Sequence, residues 1–443
     1  MSQLKNDKVP IKRGLFLVLF ILFTSKLLGQ VQQYNLSQFL DSALQNNYSL
    51  KSAEKNKLIK QSEIEALQTN YLPRVSTSAS FSYWKFLLPN KQKLLGNALT
   101  DMYTDVSFYQ PIYDFGQTKV KKNIVEDEIL LNDEIIRQIR QTIIWGVSNA
   151  YFEVLRAESE IQVHESSLKQ LQEHLKYAEQ LYNIGKVSSV DLLKIQVQIS
   201  VEENKLQQSK NALLSSKIIL YQLCNIENKG DIIIENKTKE WYNLHQNKQL
   251  QNSIELNILS SHHPLLKPFD IKSGIESKQK DLLRLQTLPD LYTYGIGNWE
   301  HGYIPFGNNF NYNIGIGIRY TLPYWGNSSY KHRLKQSEFI VEQYNDQKKQ
   351  AFLEIKKEID LCFNSLDEIQ KTISRNLEII ELANQTINSA AVKYQVGQGN
   401  IIDILDAQQI LTEAQITYQK SMVQFLQTLA KLNYLNGNDN YPF

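Results

Sequence analysis

Two hydrophobic rhythms organise the chain. From Val75 to Tyr83 the period is two: Val75, Thr77, Ala79, Phe81 and Tyr83 take the odd positions, and serine fills every even position between them. Successive side chains of a strand point to opposite faces, so this pattern predicts a strand with one apolar and one wet face. Phe310, Tyr312, Ile314, Ile316, Ile318 and Tyr320 repeat it against Asn311, Asn313, Gly315, Gly317, Arg319 and Thr321. Weaker versions run through Met102, Thr104, Val106 and Phe108, set against Tyr103, Asp105, Ser107 and Tyr109, and through Tyr292, Tyr294 and Ile296. The predicted strands are 73–87, 101–112, 289–300 and 309–322, with polar connections over 88–100 and 301–308 that should face outside.

The second rhythm is helical. From Gln117 to about Tyr182 only the tolerable Gly146 interrupts a helical pattern, and ~65 residues at 1.5 Å each make a helix of about 100 Å. Leu168, Leu171, Leu175, Ala178 and Leu181 or Tyr182 fall at three-four spacing. Ile373, Leu377, Ile380, Asn384, Ile387, Ala391 and Tyr394 keep a 4-3 step, the pattern of a coiled-coil seam. Proline breaks helix interiors, and none occurs from Ile112 to His263 or from Tyr324 to Tyr441. Further helices are predicted at 36–70 and 255–286. Gly185 and Gly397 read as helix stops, with Ser188 or Ser189, and Asn400, as caps of the helices that follow.

The pattern is duplicated. Tyr182-Asn-Ile-Gly185-Lys-Val-Ser-Ser-Val-Asp191 reappears as Tyr394-Gln-Val-Gly397-Gln-Gly-Asn-Ile-Ile-Asp403, an offset of 212 that also takes Pro111 to Pro323. An offset of 216 takes Leu72-Pro73 to Leu288-Pro289. The domain reading is therefore a leader over 1–29, a first repeat over 30–224, a linker over 225–254 with a small strand candidate at Ile232–Ile234, and a second repeat over 255–443. Each repeat holds a helix, two strands and a long helical hairpin with its apex near 185 or 397.

Charge adds an address. Lys8, Lys12 and Arg13 precede the apolar run Leu15–Phe23, which is short for a membrane span and reads as a signal peptide cleaved after Gly29. The whole chain carries a formal charge of +2, so no basic field points to nucleic acid. Past Gly29 there is no apolar run of about 18 residues, so any membrane crossing falls to the strands. The same alternation also fits a half-buried soluble sheet; the leader favours the membrane. Four strands cannot close a barrel, and each backbone group left unpaired in hydrocarbon costs several kcal/mol. The subunit must then pool its strands with copies of itself.

Chemistry is sparse. His262 and His263 adjoin at a helix entry, where neighbours point apart, and no phosphate loop, nucleophile elbow or zinc spacing occurs. No enzyme, cofactor or metal site is expected. Cys224 and Cys362 read as free, packed thiols. The terminal Phe443 follows a polar tail rather than a strand.

Taken together these residues resemble the TolC-like outer membrane efflux protein family. The resemblance rests on Leu36-Ser-Gln-Phe-Leu-Asp-Ser-Ala-Leu-Gln-Asn-Asn-Tyr-Ser-Leu50, Leu72-Pro73, Gln110-Pro-Ile-Tyr-Asp-Phe-Gly116, the glycine apex from Tyr182, Leu322-Pro-Tyr-Trp-Gly326 and the second apex from Tyr394 to Gln408, in that order. It implies a mainly α chain with a β-barrel. Three subunits would give four strands each to a 12-stranded transmembrane barrel, and their hairpins to a periplasmic α-barrel. It also implies an exit duct for efflux or type I secretion, sited in the outer membrane, with a periplasmic adaptor and an inner-membrane transporter as partners. Asp403 and Asp406 match the family's aspartate rings at the periplasmic gate, and Tyr394 and Asp191 match members of the network that closes it. Gly185, Lys186, Val187, Gly397, Gly399 and Ile401 match the tips that contact the adaptor. The chain departs from the pattern where Gly399 takes the place of a network arginine and Lys186 that of a leucine. The competing reading is a secreted trimeric coiled-coil fibre or adhesin, which shares the helices but does not require paired strands between them.

Overall fold

The computed structural model describes residues 33–85, 87–95, 98–226, 232–246, 263–301, 309–320 and 328–438. The leader, residues 227–231 and 247–254 of the linker, the start of the helix expected from 255, His262, most of the 301–308 connection, Leu322–Gly326 and Phe443 lie outside these residues.

In chain order the elements are β1 (Gln33–Tyr34), α1 (Leu36–Asn46), α2 (Tyr48–Gln68), β2 (Arg74–Lys85), α3 (Pro89–Leu95), β3 (Ala98–Tyr113), α4 (Gln117–Asn183) and α5 (Ser189–Cys224). They continue with β4 (Ile233–Ile234), α6 (Thr238–Gln246), α7 (Lys267–Leu285), β5 (Asp290–His301), β6 (Asn309–Arg319), α8 (Ser328–Gln395) and α9 (Ile401–Leu435). The helix expected over 36–70 is broken: Asn47 is extended (φ −67°, ψ 123°) and its side chain accepts from the Ser49 and Leu50 amides at 2.9 and 3.2 Å, so it caps a new helix. The first connection also carries a short helix, α3, that the pattern did not announce.

The chain divides into two compact units. One comprises residues up to Gln45, Val147–Gln246 and Thr372–Leu426. Its core is aromatic where α1 and α6 meet α4: Phe39 and Phe152 edge onto Tyr151 at 5.9 and 6.1 Å, and Trp241 meets both Tyr151 and Phe152. β1 pairs in parallel with β4. Along the helices a polar row is buried among the apolar side chains: His164 Nδ1 lies 2.8 Å from Glu202 Oε1, Thr412 donates to Ser167 Oγ at 3.0 Å, and Gln408 donates to Gln170 Oε1 at 2.6 Å. Cys224 is free and buried, and burial pushes its thiol up to about 12.

The seam of α8 departs from the expected register. Ile373, Asn376, Ala383, Ala390 and Tyr394 are buried, with Ile380 and Ile387 half-buried between them, whereas Leu377 and Asn384 are exposed. Both sets keep a heptad and share Ile373, Ile380, Ile387 and Tyr394. Alanine at 383 and 390 lets helices approach closely, and Leu377, one position on, is left on an open face of the chain.

The other unit comprises Asn46–Gly146, the residues from Asn247 to Lys371 and those from Gln427 onwards. It contains the antiparallel sheet, ordered β2-β3-β5-β6. Register pairs Val75 with Phe108, Phe108 with Gly295, and Gly295 with Ile314. These residues therefore share a face, and the serines of β2, Asp105 and Asn311 share the other. Tyr292, Tyr294 and Ile296 stand on the serine side. Their partners on the apolar side are Thr293, Gly295 and Gly297. A β-carbon at Gly295 would lie 2.2 Å from the Phe108 ring, and one at Gly297 would lie 3.4 Å from that of Phe310, so these rings cover the glycines and supply the missing apolar surface.

Among the described residues no second layer forms on β2 or β6. Phe81 is 73 % exposed, Tyr312, Ile314, Ile316 and Ile318 are 71–76 % exposed, and Ser76, Ser78 and Ser80 are exposed too, with Ser82 half-buried. Both outer strands also keep a free edge. Among the described residues no helix is long and apolar enough to cross a membrane.

β3 enters α4 through a fixed corner. Phe115 and Gly116 have φ of +53° and +90°. Asp114 holds the corner by accepting from Tyr71 Oη at 2.6 Å, from the Gly116 amide at 3.0 Å and from the Thr118 amide at 2.7 Å. Burial alone would raise its carboxyl, but the hydrogen bonds from Thr118, Tyr71 and Gly116 outweigh that and leave it below the usual aspartate range.

Candidate functional site

The residues singled out from the sequence gather at two helix-hairpin apices. At the first, Gly185 has φ +75°, its amide donates to the Tyr182 carbonyl and that of Lys186 donates to the Leu181 carbonyl, both at 2.9 Å. At the second, Gly397 has φ +77°, and the Gly397 and Gln398 amides donate to the Tyr394 and Lys393 carbonyls at 3.1 and 2.9 Å. These paired bonds close the last carbonyls of α4 and α8 in the same way. The next helices are capped at once. Ser188 Oγ accepts from the Asp191 amide at 3.3 Å while Asp191 Oδ2 accepts from the Ser188 amide at 3.4 Å, a reciprocal capping box. Asn400 Oδ1 accepts from the Ile402 amide at 3.0 Å.

One core joins the two apices: Ala178, Leu181, Ile195, Ala390, Tyr394, Ile401 and Ile404 are buried together. Tyr394 is 4 % exposed and its hydroxyl has no hydrogen-bond partner among the described residues. Burial, then the nearby Asp191 and Tyr177, push its phenol above the ordinary value. Tyr394 and Asp191 are thus neighbours without a direct bond, and Asp191 spends its carboxylate on the cap.

Asp403 and Asp406 lie one turn apart on the exposed side of α9. Asp406 lines an open groove of about 360 Å³ with Val190, Leu193, Val197, Ile402 and Leu405. Lys186, Gly185 and Gly397 are exposed and Val187 is half-buried. Ile401 is not at the surface: at 1 % exposure it belongs to the core. The exposed apolar groups at the apices are instead Ile184 (65 %) and Val396 (62 %), each directly before its glycine. The sequence signal for them was that shared position.

Gly399 has its own reason to be glycine. A β-carbon there would lie 2.8 Å from the Tyr394 amide nitrogen and 3.0 Å from the Lys393 carbonyl carbon. The loop folds back onto the end of α8 so closely that no side chain, least of all an arginine, fits this backbone. Among the described residues no group of three or more His, Cys, Asp or Glu is arranged to hold a metal.

A model of the outer membrane efflux protein family matches residues 39–225. The chain is TolC-like and carries an outer membrane efflux protein domain. Over 429 residues it is 20% identical to the outer membrane protein TolC of Vibrio cholerae, covering 94% of both chains. It is also 20% identical over 434 residues to the proteases secretion protein PrtF of Dickeya chrysanthemi, covering 93% of this chain and 90% of that one. Among solved structures it is similar to CusC, with a TM-score of 0.77, 16% identity and coverage of 91% of this chain and 92% of that one. That likeness extends to long helices with a few strands between them.

Proposed function

We propose that this TolC-like chain is one third of an outer-membrane exit duct, which conducts substrates passively from a periplasmic adaptor and an inner-membrane transporter to the outside. The observation that carries this reading is the sheet. Among the described residues no second layer packs on its outer strands, their outer edges are unpaired, and one face is apolar from β2 to β6. Such a sheet is unstable in water and equally so alone in lipid, where each open edge leaves backbone groups unpaired. Three copies joined edge to edge make a 12-stranded barrel with the apolar face to lipid and the serine face to water. Two repeats per chain, over 30–224 and 255–443 with a linker between, then supply two long helices each, four per chain, to a periplasmic tunnel.

The apices form the periplasmic end. Asp403 and Asp406 of three copies stack two carboxylate rings, which attract cations. Tyr394 and Asp191 belong to the closure, and Gly185, Lys186, Val187, Gly397, Ile184 and Val396 to the surface that meets the adaptor. With glycine at 399, closure relies on the packed core around Tyr394 rather than on an arginine. The curated relatives named for the outer membrane and for protease secretion support the reading. Planar-bilayer recording tests it: the purified protein forms pores blocked by divalent cations, and Asp403→Ala with Asp406→Ala weakens that block. Unchanged block removes the gate role, and absence of pores removes the duct.

A further inference from the structure

The serine face of the sheet carries one chemically distinct patch. Arg74 stands opposite Tyr109, Tyr109 opposite Tyr294, and Tyr294 opposite Gly315, so all project from that face. Tyr292, opposite Gly317, follows one step along β5. The Tyr109 and Tyr292 ring centroids are 5.2 Å apart, and those of Tyr292 and Tyr294 are 6.0 Å apart. The two glycines shape the patch. A β-carbon at 315 would come within 2.8 Å of the Tyr294 side chain, and one at 317 within 2.6 Å of that of Tyr292. Both side chains therefore reach across β6 over its glycines rather than standing off the sheet, with the two ring planes tilted 42° to each other.

Charge completes the patch. The Arg319 guanidinium sits 5.7 Å from the Tyr292 centroid and donates to Asp290 Oδ2 at 3.2 Å and Tyr109 Oη at 3.3 Å, which fixes the ring cluster. Arg74 donates to Asn70 Oδ1 at 3.4 Å and forms no ion pair with the described residues. Two guanidinium groups therefore face one carboxylate, and the unanswered charge is at Arg74, beside the rings.

We propose that this patch is a transient binding site for flat aromatic molecules bearing an anionic group as they pass the sheet. The aromatic part stacks on Tyr292 and Tyr294, and the anionic group meets Arg74. This rests on the reading that the serine face lines a water-filled lumen, in which each trimer presents the patch three times. It narrows the cargo class that the duct holds longest.

The test uses the full protein in planar bilayers, with naphthalene-2-carboxylate as probe and cyclohexanecarboxylate as its non-aromatic counterpart. The naphthoate interrupts the current in a concentration-dependent way and the aliphatic acid does not. Tyr294→Ser shortens the interruptions about tenfold, the worth of one stacked ring. Arg74→Gln shortens them as well, and Gly317→Val, which displaces the Tyr292 ring while leaving its chemistry intact, does the same. Tyr103→Ser, on the same face but away from the patch, leaves them unchanged. Interruptions that are equal for both acids, or equal in wild type and Tyr294→Ser, overturn the site while leaving the duct standing. If no pores form, the duct fails instead, and saturation-transfer NMR of naphthoate with the purified protein decides the site: transfer lost in Tyr294→Ser supports it, and equal transfer overturns it.

Discussion

At the residue scale, the two apical glycines of the second hairpin are required for different physical reasons. Gly397 is held at φ +77° with open space around it, so any L-residue there is strained by backbone alone. Gly399 is required by space, because the atoms that a β-carbon would meet are main chain of Lys393 and Tyr394. Gly399→Ala therefore loosens the end of α8. Amide hydrogen exchange over residues 393–402 should rise several-fold in the variant, with α4 unaffected; an unchanged apex would contradict the packing described. Asp114 gives a pH-dependent prediction. Its carboxyl is held below the ordinary value in the folded chain, so its contribution is present above the unfolded value and is lost as pH falls through the folded one. Asp114→Asn should lower thermal stability at pH 7, and the gap to wild type should close below about pH 4. A gap that is constant with pH would show that the corner does not depend on the ionised carboxylate.

At the scale of elements, the strands with pure alternation were the most legible. β2 sets serine against its apolar row and β6 sets asparagine, glycine and arginine against its own, and their extents hardly differ from the expected ones. β5 was legible as a strand but not in its facing. Tyr292, Tyr294 and Ile296 look like the apolar row and stand on the wet side, because the true apolar row holds Gly295 and Gly297 under aromatic rings supplied by neighbouring strands. A single strand carries no record of such cross-strand cover. The same holds for α8, where the choice between Leu377 and Asn376 as seam depends on which helix lies alongside. The apices were legible because glycine and a capping residue recur at fixed spacing. The burial of Ile401 was not, since it depends on four helix ends sharing one core. The faces of β6 yield a prediction at this scale. Ile314→Arg places a charge on the lipid side, at a cost of about 2–4 kcal/mol near the bilayer midplane, and should sharply reduce the amount of assembled protein in the outer membrane. Asn313→Arg, one residue away on the wet side, should leave it nearly unchanged. Equal losses would mean that the two faces do not meet different solvents.

At the scale of the whole molecule, everything turns on the unpaired edges of β2 and β6. A chain that ends a sheet with largely exposed strands, apolar on one face, has to meet another copy or aggregate, and the TolC-like character of the chain fits the first outcome. The thiols offer a clean background for testing it, since Cys224 and Cys362 are free and buried and can be removed before new cysteines are placed. The most direct measurement pairs single cysteines along β2 with single cysteines along β6 in isolated outer membranes and follows oxidation on a denaturing gel. Edge-to-edge closure by identical neighbours predicts a ladder that stops at three chains for those pairs that lie in register. A ladder absent at every register, with the mature protein recovered as a water-soluble monomer, would contradict the account.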